Sequence, residues 1–206
     1  MSVPGRRRTL AWVPIMLGAL LLTGCATQLQ PDVTDVRGLV APLEFNLTNQ
    51  NGRAVTAADY RGDIVMLYFG YTHCTQECPA TLAMLADALD RLGPLASRVR
   101  VLFVTVDPRR DTIPVLKRYV GDFGPHFVGL RGTDAQLTAM IKRYRVSYHD
   151  EKPEKNGNYE VIHSSVVFIF DGHGRARLLA QTGFSSAAIA ADVRRLLKGD
   201  RLLERA

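Results

Sequence analysis

Three largely apolar runs of strand length most constrain what this chain can fold into: residues 64–69 (IVMLYF, unbroken), 99–107 (VRVLFVTVD) and the body of 163–171 (HSSVVFIFD). A strand with one wet face alternates apolar and polar residues, whereas a strand covered on both faces reads as a continuous apolar run. The chain must therefore lay helices on both sides of one sheet. The intervening stretches supply them. After Pro79, Leu82, Leu85, Leu89 and Leu92 recur at helical spacing until Gly93-Pro94 ends the pattern. Asp111-Thr112 reads as a cap for a helix running to about Val120. Thr133 caps another, whose inward stripe is Leu137, Met140, Ile141 and Tyr144. A short strand is expected at 127–130, and DGHG at 171–174 turns the chain into RARLLA as an antiparallel neighbour. Ser185 or Ser186 then opens a last helix with Ile189, Val193, Leu196 and Leu197 inward. Ahead of these elements, Asn51-Gly52 gives a two-residue hairpin signal, and the polar stretch 147–162, with Pro153 and Gly157, reads as an exposed loop. The whole is an α/β sandwich around a mixed sheet.

The first residues stand apart from that pattern. Arg6, Arg7 and Arg8 precede an apolar run from Leu10 to Leu22 that ends in LLTGC at Cys25. The run is shorter than the about 20 residues a bilayer span requires, and its layout is that of an export signal. The small residues before the cysteine resemble a bacterial lipoprotein cleavage box. Residues 1–24 are therefore expected to be a lipoprotein-type signal peptide, with Cys25 lipidated and the protein held at the periplasmic face of a bacterial membrane. An uncleaved N-terminal anchor is the alternative. Residues 25–43 lack periodicity and read as a tether, 44–198 as one folded domain and 199–206 as a tail. The formal charge of +6 includes the three signal arginines, leaving 6 − 3 = +3 in a mature chain. Basic residues are scattered rather than massed, so no nucleic-acid partner is expected.

Three cysteines are an odd count for an exported protein. Lipidation would account for Cys25, leaving Cys74 and Cys78 in YFGYTHCTQECPATL, between the first apolar run and the first helix. If Cys78 lies in the first helical turn, the two Cα atoms stand roughly 6 Å apart, from four helical rises, which is within disulfide reach. The helix end is expected to stabilise both thiolates and lower both thiol pKa values. A static staple would close too short a loop to stabilise much. A static disulfide stays open as the plain alternative, but the position favours a redox couple or a clamp for a soft metal, and a clamp invites a third ligand. His73 adjoins Cys74 and is expected to point elsewhere, His126 follows a surface turn, and His173 sits at the far end of its strand. His149, within the polar loop, rivals His163, which stands where that loop meets an apolar strand.

The element order resembles a thioredoxin-like (peroxiredoxin-like) fold. FGYTHCTQECP, VTVDPRRDT at 104–112 and VIHSSVVFIFD together resemble the Sco (SenC) proteins over roughly residues 40–198. The resemblance implies copper-handling relatives of thioredoxin that act in cytochrome c oxidase assembly. It implies copper, as Cu(I) or Cu(II), on Cys74, Cys78 and His163, with the two cysteines able to cycle between dithiol and disulfide. Asp107 matches the family's acidic residue beside the site, as a weak ligand or an outer contact; equally, it is the Asp of an Asp-Pro turn. Two departures stand out: Thr75-Gln76 replaces a usual Pro-Asp, and Glu77 replaces a common apolar residue. The implied activity is copper delivery to the binuclear copper site of an oxidase subunit, with other periplasmic copper chaperones or thiol reductants as further partners. A thiol-disulfide oxidoreductase using Cys74 and Cys78, or a copper or redox sensor, uses the same residues. Zinc also suits a Cys-Cys-His set.

Overall fold

The computed structural model describes residues 33–146, 148–150, 161–163, 165–181 and 184–203, the side chains of 148–150, 161–163 and 200–203 excepted. In chain order its elements are β1 (Thr34–Asp35), β2 (Asn46–Asn49), β3 (Ala54–Thr56), β4 (Ile64–Gly70), α1 (Glu77–Leu92), β5 (Val99–Thr105), α2 (Ile113–Gly121), β6 (Phe127–Arg131), α3 (Asp134–Tyr144), β7 (Tyr148–Asp150), β8 (Val161–His163), β9 (Val166–Phe170), β10 (Ala176–Gln181) and α4 (Ser186–Leu203). Eight strands form one sheet in the order β1-β10-β9-β4-β5-β6-β2-β3, while β7 and β8 pair with each other. β4, β5 and β6 run parallel; β9 and β10 return antiparallel beside β4. The mixed sheet and thioredoxin-like architecture expected from the apolar runs are present.

Every residue of β4 is buried, and the period of two divides them between two layers. Ile64, Met66 and Tyr68 pack with Leu82, Leu85 and Leu89 of α1, Leu116 of α2, and Ile189 and Val193 of α4. Val65, Leu67 and Phe69 face the other layer, with Leu137, Met140 and Tyr144 of α3. Cys74 touches both layers from the edge.

Four boundaries differ from expectation. The fold begins before residue 44: Val33 is fully buried, β1 pairs with β10, and Val36 joins the second layer, so 33–43 is part of the body rather than a tether. A two-residue edge strand is too short to leave any period in the sequence. The β2–β3 turn is longer than two residues, with Thr48 opposite Ala54. The Asn49 side chain accepts from the Asn51 and Arg53 amides, and Gly52 takes φ +78°. Within the expected loop 147–162, the flanks pair instead as β7 and β8. Finally, α4 continues to Leu203, past the expected start of the tail at 199. The apolar run at 10–22, Cys25, and residues 151–160 lie outside the described residues. No helix among the described residues is long and apolar enough to cross a membrane.

Candidate metal and redox site

β4 delivers the chain to the carboxyl end of the parallel strands, where chemistry gathers in open α/β sheets. The turn after Gly70 carries Cys74, and Cys78 is the second residue of α1. Gly70 makes this approach possible, because a β-carbon there would lie 2.8 Å from Cys78 Sγ and 2.7 Å from a ring carbon of Phe103. The structure holds two thiols rather than a disulfide. Cys78 is fully buried, with the Tyr68 hydroxyl 3.6 Å from its sulfur, and its own backbone N–H donates to Cys74 Sγ at 3.3 Å. Cys74 is half-buried and is the sulfur a partner can reach.

The expectation that the helix end lowers both thiol pKa values fails at Cys78. Burial pushes its thiol up to about 12; hydrogen bonds from Tyr68 and with the Tyr71 backbone pull down without overcoming it, and neighbouring Cys74 pushes up again. Desolvation outweighs the helix terminus because the sulfur is sealed under Tyr68 and Gly70.

Asp111 was expected as part of a cap for α2. Thr112 occupies the N-cap position without a side-chain bond, and Asp111 faces inward, fully buried. Its carboxylate accepts from the Thr72 hydroxyl (2.6 Å), the Thr72 amide (3.0 Å) and the Thr105 hydroxyl (2.5 Å). Thr105 in turn accepts from the Asp107 amide at 2.9 Å. One carboxylate therefore fastens the cysteine turn to the end of β5. Asp107, also buried, pairs with Arg110, whose guanidinium lies 5.6 Å from the Tyr71 ring centre. His73 Nδ1 lies 3.7 Å from Asp111. One donor atom each from His73, Asp107 and Asp111 falls within 4.8 Å of the others. Their oxygens are already committed to Thr72, Thr105 and Arg110, so the cluster acts as a buttress of the turn.

The remaining histidines separate by position. His173 is exposed in the turn after β9, at the end of the sheet opposite the cysteines, because Phe170 pairs with Val65 at the start of β4. The carbonyl of His126 accepts from the Val101 amide ahead of β6. His163 ends β8, opposite Tyr148, and His149 pairs with Ile162. Val167 pairs with Tyr68, so the segment leaving β8 enters the sheet at the end where the cysteine turn leaves it. Tyr68, Gly70, Thr72 and Asp111 escaped the sequence reading; only the strand alternation that sets Tyr68 on the α1 face pointed to any of them.

A mixed sheet with helices on both faces and a dithiol at the start of its first long helix defines a thioredoxin-like protein. The chain belongs to the SCO1/SenC family, whose model matches residues 39–198. The mitochondrial SCO2 homolog of Bos taurus is 38% identical over 133 residues, covering 64% of this chain and 50% of that protein. The Homo sapiens homolog is 36% identical over 147 residues, covering 67% and 55%. The chain thus spans about half the length of these relatives. Bradyrhizobium japonicum ScoI with copper bound aligns at TM-score 0.71 and 35% identity, covering 77% of this chain and 100% of that one. Yeast Sco1 with copper bound aligns at 0.70 and 28%, covering 77% and 89%.

Proposed function

We propose that the protein is a copper-delivering assembly factor, which holds one copper ion on Cys74, Cys78 and His163 and passes it to the binuclear copper site of a cytochrome c oxidase subunit. The observation that supports this reading is that both thiols lie at the end of the sheet where β9 begins, three residues after His163. Two soft sulfurs select Cu(I), and imidazole serves either oxidation state. Family relatives with copper bound support the cargo, and BsSco is described as a member of the Sco family of cytochrome c oxidase assembly proteins. Sulfur ligands must lose their protons, so loading releases protons, and the high pKa of Cys78 makes that release part of the binding.

The test compares dithiol and disulfide forms. The dithiol should bind one copper per chain, the disulfide none, and His163→Ala should lose retention by at least the about 10- to 100-fold typical of losing even an outer metal partner. Equal uptake by both forms, or loss in His149→Ala with His163→Ala intact, would overturn the ligand set. The same reading places the protein on a periplasmic membrane face through lipidated Cys25. Intact-mass measurement of membrane-extracted protein should find a chain starting at Cys25 with added acyl mass.

A second reading rests on the unequal exposure of the two sulfurs. As a thiol-disulfide oxidoreductase, Cys74 attacks a target disulfide and releases one target thiolate. Cys78 then displaces the second, leaving the target reduced and the Cys74–Cys78 pair oxidised. His163→Ala distinguishes the two, since exchange needs no third ligand. That variant should fail to support oxidase assembly at low copper if delivery is the function, and should complement if reduction is.

A further inference from the structure

β7 and β8, three residues each, pair with each other outside the eight-stranded sheet. A two-stranded ribbon is marginal alone in water, so the position of His163 depends on what fastens the segment to the body. The register of β9 on β4, with Val167 opposite Tyr68, sets Ser165 opposite Gly70 when continued two residues. At that point the Ser165 hydroxyl donates to Glu77 Oε2 at 2.7 Å. Glu77 opens α1 and immediately precedes Cys78, while Ser165 follows His163 by two residues. The bond therefore joins the helix end that carries the thiols to the segment that carries the histidine. Both residues also border a cavity of about 330 Å³ lined by Gln76, Ala80, Thr81, Met84, Val167 and Gln181.

We propose that Glu77 and Ser165 form a latch that holds the His163 segment against the cysteine turn, a role that rests on the copper-site reading above. Both are positioning residues and neither touches the metal. Glu77→Leu removes the acceptor, Ser165→Ala the donor, and Glu77→Gln removes the charge while keeping an acceptor. Two measurements apply to the full chain: Cu(I) retention against a competing chelator, and amide hydrogen exchange at 161–163 in the copper-free dithiol form. Glu77→Leu and Ser165→Ala should each weaken retention and speed exchange by about 3- to 10-fold, the range one hydrogen bond supports. Their combination should be no worse than either alone, and Glu77→Gln should stay within about 2-fold of the parent. Additive effects in the double variant, or Ser165→Ala matching the parent in exchange, would overturn the latch. His163→Ala is measured alongside. If it retained copper like the parent, the copper-site reading would fall, while exchange at 161–163 would still decide whether the latch exists.

Discussion

Gly70 and Cys78 occupy adjoining space: a β-carbon on Gly70 would sit 2.8 Å from the Cys78 sulfur. A ring carbon of Phe103 would lie 2.7 Å away as well, and both neighbours are fully buried. Gly70→Ala should therefore displace Cys78 and destabilise the protein by about 1–3 kcal/mol, the range for overpacking a filled core. Denaturant unfolding gives the loss, and the rate of Cys74–Cys78 disulfide formation reports the displacement. A variant with parental stability and parental oxidation rate would show that the sulfur does not rest on this backbone.

The burial of Cys78 sets a pH dependence. Its thiol is raised to about 12 in the folded protein, against about 8.5 for an exposed cysteine. The native state thus holds the proton more tightly. The corresponding stability is complete below about pH 8.5 and declines as pH rises from there towards 12. At pH 8, iodoacetamide should modify Cys74 rapidly. In a Cys74→Ser variant, Cys78 should remain unmodified until denaturant exposes it. Rapid alkylation of Cys78 in that folded variant would contradict the seal formed by Tyr68 and Gly70.

Much of this site was legible because it follows from strand and helix periods. The unbroken run at 64–69 required a doubly covered strand, the leucines from Leu82 to Leu92 required a helix after it, and together they put Cys74 and Cys78 at a sheet end. What stayed hidden depends on contacts between distant segments. Asp111 resembles a helix cap locally, and only packing turns it inward to Thr72 and Thr105. Cys78 at a helix start suggests a low pKa, and only the burial of its sulfur reverses the sign, against the pull of the Tyr68 hydrogen bond. The bond between Glu77 and Ser165 spans 88 positions and has no local signature. Val33 and β1 were missed for a related reason, since a two-residue edge strand carries no period.

Asp171 offers a control far from the cysteines. Burial raises its pKa, but the Arg175 amide and the guanidinium groups of Arg175 and Arg177 outweigh that and hold it below the usual carboxylate value. A depressed native pKa contributes stability that is present above about pH 3.9 and is lost as pH falls through the native value. Asp171→Asn should lower stability at pH 7 by about 1–3 kcal/mol and flatten the acid limb of the stability profile. Cys74 alkylation should remain at the parental rate, because Asp171 closes the opposite end of β9. Faster alkylation would mean that the two ends of the sheet are coupled.

Asp111 should behave in the opposite way. Its fully buried carboxylate takes the amide and hydroxyl of half-buried Thr72 and the hydroxyl of buried Thr105. Asp111→Ala strands three donors, each costing about 1–3 kcal/mol if left buried and unpaired; relaxation of the turn towards solvent recovers part of that. A net loss of about 2–4 kcal/mol is expected on that basis, and the relaxation itself frees the turn carrying Cys74. Asp111→Asn keeps one carbonyl acceptor and should lose about half as much on the same per-bond scale. The decisive comparison sets stability against sulfur reactivity. Asp111→Ala should speed Cys74 alkylation, whereas Asp171→Asn at comparable destabilisation should not. Equal alkylation rates in the two variants would reduce Asp111 to a general core residue with no hold on the cysteine turn.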